Sequence, residues 1–140
     1  MAEKPACRAA FEARRRLIPA AGAYEWVANG GWHKQPHHIQ GKDGQPFALA
    51  GLWERWRDKD GQPVETCTTL TTEANGVVRR HHDRMPVVAP GDFASWLDSH
   101  TPPTELPALL RPYPVDEMER VRVGRYVSNA RNEGPQCLEL

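Results

Sequence analysis

Eight consecutive residues, Arg79-Arg80-His81-His82-Asp83-Arg84-Met85-Pro86, gather two imidazoles, one carboxylate and three guanidiniums. Imidazoles exchange protons near neutral pH, and guanidiniums grip phosphate oxygens through a planar fork. A short helix ending at Arg80 would also account for the cations, because positive charge suits a helix C-terminus. A second stretch tips the balance toward chemistry: Leu17-Ile18-Pro19-Ala20-Ala21-Gly22-Ala23-Tyr24-Glu25-Trp26. There a single carboxylate, Glu25, stands between two aromatics in an otherwise apolar segment. Burying an unpaired carboxylate is costly, so such a group is paired, protonated or catalytic.

The elements that must position these groups are short. Alanine-rich residues 3–16 predict a helix, with Pro5 at an early position. Strands are expected at residues 17–19 and 23–28. The turn signal Asn29-Gly30-Gly31 follows, with a partner strand starting at residues 32–35 and continuing through 37–40. Lys-Asp-Gly-Gln-Pro occurs twice, at 42–46 and 59–63. Each Asp-Gly marks a tight hairpin, so the pair predicts a three-stranded meander around a long central strand, residues 47–57. Both faces of that strand are largely apolar, which predicts cover on both sides, and Gly51 marks a bend or close approach. The third strand is placed at residues 64–72, with Cys67 packed as a small hydrophobe. A short helix is expected at 73–80, a strand at 87–89, and a helix at 90–99 presenting Phe93, Trp96 and Leu97 on one face. Five prolines then cut the chain, leaving one helical turn near 105–110. Residues 118–127 alternate, with Val121, Val123 and Val127 inward and Arg120 and Arg122 outward; the tail, 128–140, reads as irregular. The fold class is α+β: a strongly bent, largely antiparallel sheet with short peripheral helices.

The 140 residues carry no net charge, and the length suits one domain with its own core. Three cysteines, Cys7, Cys67 and Cys137, form no CxxC pair, and no apolar run approaches the roughly 20 residues that span a bilayer. A reduced, cytoplasmic protein is expected, nucleoid-associated if bacterial, with no membrane partner.

Taken in order, Leu17-Ile18-Pro19-Ala20-x-Gly22-x-Tyr24-Glu25-Trp26, Ala50-Gly51-Leu52-Trp53-Glu54, Thr69-x-Thr71-Thr72-Glu73-Ala74-Asn75, His82-Asp83-Arg84-Met85-Pro86 and Asn132-Glu133-Gly134-Pro135 resemble the SOS response-associated peptidase (SRAP) family. The resemblance runs over essentially the whole chain. It implies a bent antiparallel β architecture and proteins of the DNA damage response that recognise abasic sites in single-stranded DNA and link to them covalently. In the family an N-terminal Cys does this: its amine attacks the opened sugar aldehyde and its thiol closes a thiazolidine. The peptidase name reflects self-processing at that N-terminus. By resemblance Glu25 is the acid/base glutamate, His82 the active-site histidine and Arg84 an arginine near DNA phosphates. Trp26, Arg79 and Arg80 join them as candidate DNA contacts, Trp26 by stacking. Imine formation needs protons delivered to the sugar ring oxygen and a leaving hydroxyl, which suits a carboxyl beside an imidazole.

The chain departs from the family at its start. Family members begin Met-Cys-Gly-Arg; this sequence begins Met1-Ala2-Glu3-Lys4-Pro5. That start resembles a point just after the family's Asn-Ala-Arg-Ala-Glu motif. A single SRAP-like domain over residues 1–140 is therefore expected to lack the family's N-terminal third and its nucleophile, and to be inactive in cross-linking as written. Cys7, inside the first expected helix, offers no free α-amine. Apolar surface is expected near Trp26, Trp53 and Trp56, where the absent segment or an oligomeric partner would pack. Two other readings are a non-catalytic single-stranded DNA binder and a metal-dependent hydrolase using His33, His37, His38, His81, His82 and Asp83. The second has no HExxH or CxxC framework behind it, so no metal and no cofactor is expected.

Overall fold

The computed structural model describes residues 5–80, 82–85 and 90–140. Helix α1 (Pro5–Ala13) forms where alanine is dense. It stops short of residue 16 because Arg14 already belongs to a ladder: the Trp53 N–H donates to the Arg14 carbonyl at 3.0 Å. Strand β1 (Arg15–Ala20) follows directly. The other strands are β2 (Ala23–Val27), β3 (Gln35–Gly41), β4 (Phe47–Arg57), β5 (Pro63–Thr69), β6 (Thr72–Glu73), β7 (Arg84–Met85) and β8 (Met118–Arg122). Helices α2 (Phe93–Leu97) and α3 (Leu106–Leu109) are short. The fold is α+β with mainly antiparallel sheets, as the sequence implies. The expected strand at 87–89, and His81 with it, lie outside the described residues.

Two compact units alternate along the chain. The first takes Met1–Pro19, Ala48–Thr72 and Pro86–Pro112; the second takes Ala20–Phe47, Glu73–Met85 and Tyr113–Leu140.

The first unit carries the sheet β1-β4-β5. Its core joins Ala10 and Phe11 of α1 to Ala50, Leu52, Leu70, Trp96 and Leu106. The Phe11 and Trp96 rings meet edge to face at 6.0 Å, and the Trp96 indole N–H donates to the Arg16 carbonyl. Gly51 is a close approach: a Cβ there would lie 2.9 Å from Ile18 Cδ1. β4 is central, yet only its first half is buried on both faces, and residues 55–57 are exposed. β5 pairs antiparallel with β4 and is exposed along nearly its whole length. Cys67 is therefore exposed, contrary to expectation, because the β5 edge has few neighbours to bury it. Trp53 is half-buried and Trp56 is 51% exposed. In α2 Trp96 is buried and Phe93 packs half-buried against the same core, whereas Leu97 is turned outward, since the helix is too short to bury a second turn.

The second unit carries the sheet β2-β3-β8. The expected meander does not form, because β3 pairs with β2 and β8 whereas β4 pairs with β1 and β5. The Lys42 N–H donates to the Glu117 carbonyl instead, so the turn after β3 closes against the approach to β8. β3 starts at Gln35, and Trp32 stands wholly exposed in the connection rather than in the strand. β8 ends at Arg122; Val121 is 39% exposed whereas Val123 is fully buried. Strand alternation puts Val121 on the open face, and Val123 escapes it by leaving the strand. The tail is more ordered than expected: a 3₁₀ turn at Pro135–Leu138 buries Cys137. The Gly124 N–H donates to the Glu139 carbonyl at 2.6 Å.

Candidate functional site

Glu25 lies at the middle of β2, and the register of the sheet fixes its neighbours. It stands opposite His37 on β3, which stands opposite Arg122 on β8. Alternation puts all three on one face. The next row on that face is Ala23, Ile39 and Arg120. Glu25 is half-buried, and among the described residues the ion pairs are Arg14–Glu54, Arg79–Glu73, His100–Asp98 and Arg111–Asp92, none of which engages it. Hence the sheet holds a carboxylate on a face that also carries an imidazole and two guanidiniums.

Trp26 and Tyr24 point to the opposite face. The Trp26 indole N–H donates to Ser128 Oγ at 3.1 Å, and the Tyr24 ring lies 5.0 Å from that of His38. Burial pushes the Tyr24 hydroxyl above its ordinary range. His38 Nδ1 meets Gln40 Oε1 at 2.9 Å, while Gln40 Nε2 donates to Glu119 Oε1 at 2.7 Å. With the Gln40 amide nitrogen committed as donor, its oxygen must accept from His38, so Nδ1 carries the proton. His37 and His38 thus face opposite sides, and among the described residues no cluster of three or more His, Cys, Asp or Glu could hold a metal.

His82 is placed by a different device. The expected helix at 73–80 is replaced by turns pinned on Asn75, whose buried side chain uses both ends. Oδ1 accepts from the N–H groups of Val77 and Val78, and Nδ2 donates to the Tyr113 carbonyl. An Asn that binds its own following backbone favours turn over helix. The short sheet β6-β7 closes the loop, with the Ala74 N–H donating to the Asp83 carbonyl. Met85 is buried, its sulfur accepting from the Asn75 N–H. Burying Met85 leaves His82, Asp83 and Arg84 exposed on the outgoing strand.

His82 Nδ1 lies 3.1 Å from both the N–H and the carbonyl oxygen of Arg84. One tautomer accepts from that N–H and presents Nε2–H outward; the other donates to that carbonyl and presents a basic Nε2. The backbone of Arg84, through the N–H of one peptide and the carbonyl of the next, therefore holds the ring in either form without turning it.

The sequence-derived residues are accordingly grouped in two places within one unit. His82 and Arg84 are in contact, with Arg79 and Arg80 on the preceding turn. Arg79 Nε donates to the Ala74 carbonyl, and its guanidinium lies 3.9 Å from Glu73. Glu25 sits on the three-stranded sheet; among the described residues no hydrogen bond or ion pair joins it to His82. Sequence reasoning missed the row of His37, Arg122 and Arg120 beside Glu25. The alternation of residues 118–122 held the signal for the arginines, but the β3 register could not be read across a long connection.

No helix among the described residues is long and apolar enough to cross a membrane. The family model for SOS response associated peptidase (SRAP) matches residues 1–130. The abasic site processing protein YoqW of Bacillus subtilis (strain 168) is 38% identical over 141 residues, covering 99% of this chain and 63% of its own length. YoaM of the same organism, another abasic site processing protein, is 40% identical over 139 residues, 98% of this chain and 61% of its own. The abasic site processing protein HMCES of Gallus gallus is 30% identical over 150 residues, 91% of this chain and 44% of its own. A crystal structure of a Bacteroides thetaiotaomicron protein superposes with a TM-score of 0.87 at 29% identity, over 98% of this chain and 61% of that one. A Bordetella bronchiseptica protein gives 0.77 at 29% identity, over 88% and 61%. The chain thus spans less than two thirds of the length of these relatives. With the family model matched along nearly all of it, the chain belongs to the SOS response associated peptidase (SRAP) family.

Proposed function

We propose that this chain processes abasic sites in single-stranded DNA, with Glu25 and His82 handling protons and Arg84, Arg79 and Arg80 meeting phosphates. The observation that carries the reading is the His82 ring held against the backbone of Arg84, a residue whose guanidinium suits a phosphate, in a chain whose relatives are named for abasic site processing. Opening the sugar moves a proton from the C1′ hydroxyl to the ring oxygen, and imine formation then expels water. A half-buried carboxyl and an imidazole stable in two tautomers supply those transfers. Thiazolidine closure needs an amine and a thiol on adjacent carbons, which an N-terminal Cys supplies. In the chain that begins Met1-Ala2, Cys7, Cys67 and Cys137 are internal thiols. Glu25, His82 and the three arginines therefore contribute DNA binding and proton transfer, and covalent capture depends on a Cys-bearing N-terminus.

The test is a denaturing gel after incubation with a single strand carrying one abasic site. The 140-residue chain should give no heat-stable shifted band, and the chain extended by an N-terminal segment starting with Cys should give one. A stable band from the 140 residues that survives Cys7→Ser would overturn this assignment of the nucleophile. Absence of abasic-strand binding by both proteins would overturn the function.

A further inference from the structure

A groove of about 450 Å³ in the second unit lies between the turn before His82 and the start of β8. We propose that it seats a nucleotide flanking the abasic site, a reading that rests on the proposed function. Its size falls among small-ligand sites, roughly 300–1,000 Å³. Arg80 and Arg120 supply positive charge at its wall. Val77, Val115 and Met118 supply an apolar surface, Met118 buried as a floor and Val115 47% exposed as a rim. Among the described residues that line the groove the one carboxylate is Glu119, which accepts from Gln40. Guanidiniums beside an apolar floor match a phosphate and a base face, and they read no sequence, since every base has an apolar face.

Continuity places the groove next to the candidate site. Arg80 is two residues before His82. Arg120 lies on the same sheet face as Glu25, one row along the strands, about 7 Å at the strand rise, and two strands across, about 10 Å at the strand spacing. A strand with its abasic sugar near Glu25 and His82 would therefore reach the groove with its neighbouring nucleotide. Gly76 keeps the groove open: a Cβ there would touch Val115 Cγ2 at 3.8 Å, and any larger side chain would enter the space.

The experiment measures fluorescence anisotropy of the full chain with strands bearing a tetrahydrofuran abasic analogue. One strand has no flanking nucleotides, one has them on the 5′ side and one on the 3′ side. Wild type should gain roughly tenfold affinity from one of the two flanks. Arg80→Glu with Arg120→Glu should erase that gain, and so should Val115→Trp, which fills the groove without changing charge. Gly76→Leu serves as a second filling variant should Val115→Trp misfold by circular dichroism. Arg55→Glu, an exposed charge reversal on the first unit, should leave the gain intact. A flank gain that persists in the filling variants overturns the groove, even if charge reversal weakens binding, and leaves the abasic preference standing. A wild type that shows no preference for the analogue over an intact strand removes the function on which the proposal rests.

Discussion

Glu25 and His37 occupy directly opposed positions on β2 and β3. Side chains so paired have Cβ atoms about 4.5–5.5 Å apart, so the carboxyl and the imidazole share one small patch of the sheet. The Cys-extended protein should accordingly lose cross-linking rate, by about 10²–10⁴-fold, on Glu25→Gln, the span of general acid–base contributions. Binding to the abasic strand should be unchanged. His37→Ala should slow the reaction less than Glu25→Gln does. Single-turnover gels at saturating DNA measure both, and an unchanged rate for Glu25→Gln would make this carboxylate structural.

The contact between His82 and the Arg84 backbone separates two roles on residues two apart in the chain. Arg84→Ala keeps the backbone that holds the ring and removes only the guanidinium. It should weaken single-strand binding and lower the salt slope by about 0.7, one phosphate contact, with the rate at saturation kept. His82→Ala should do the reverse: affinity kept, rate lowered. If Arg84→Ala and His82→Ala depress the rate equally, the two act as one unit and this division of labour is wrong.

Asn75 should be worth more to folding than any exposed residue of its loop. Its side chain satisfies the N–H groups of Val77 and Val78 and the Tyr113 carbonyl at 2.7–3.1 Å while buried. Asn75→Ala strands those groups and should cost about 2–3 kcal/mol, seen as a lower urea midpoint. Asn75→Asp keeps the acceptor but cannot donate to Tyr113, so it should be destabilised as well. A midpoint within error of wild type in both would show that water replaces the amide.

Much of this was legible in the sequence because local patterns decided it. The Phe47–Arg57 strand and its Asp-Gly hairpin to β5 follow from alternation and turn chemistry alone, and so does the single turn of α3 among prolines. The illegible parts were those set by distant partners. Nothing local tells β3 to leave β4 for β8, and the contact of Lys42 with Glu117 spans most of the chain. The helix expected at 73–80 failed because Asn75, read as a helical residue, binds the backbone ahead of it. For the candidate site, the motifs pointed to Glu25, His82 and Arg84, but the row through His37 to Arg122 depends on a register that only folding reveals.

Acid should loosen the first unit as pH falls through and below the range of ordinary carboxylates. The Arg55 N–H, then the Arg14 guanidinium, hold Glu54 below its ordinary range against the opposing effect of burial. The His100 N–H and ring do the same for Asp98. A folded-state pKa below the unfolded one means stability present above the unfolded value and lost as pH falls through the folded one. The melting temperature should therefore hold from about pH 8 to 5 and fall below about pH 4. Glu54→Gln and Asp98→Asn should lower it near neutrality, with the gap to wild type narrowing as pH drops. A gap that widens in acid would reverse the sign of this linkage.

Gly22 should be intolerant of even one methyl group. A Cβ at this position would lie 2.0 Å from His38 Nε2, 2.4 Å from its Cε1 and 2.7 Å from the Ile39 carbonyl oxygen. The ring has little room to yield. It is 7% exposed, it donates through Nδ1 to Gln40, Gln40 is tied to Glu119, and the Tyr24 ring lies against it. Moving His38 would therefore break a chain of two hydrogen bonds that crosses from β3 to β8. Gly22→Ala should cost about 1–3 kcal/mol as an overpacking change, read from denaturant unfolding of the purified chain. His38→Ala should also destabilise by loosening the same contacts. The two changes should not add, because removing the ring removes two of the three clashes, so the double variant should be more stable than the sum of the singles. Additive losses would place the His38 ring away from Gly22, and with it the polar chain through Gln40 to Glu119.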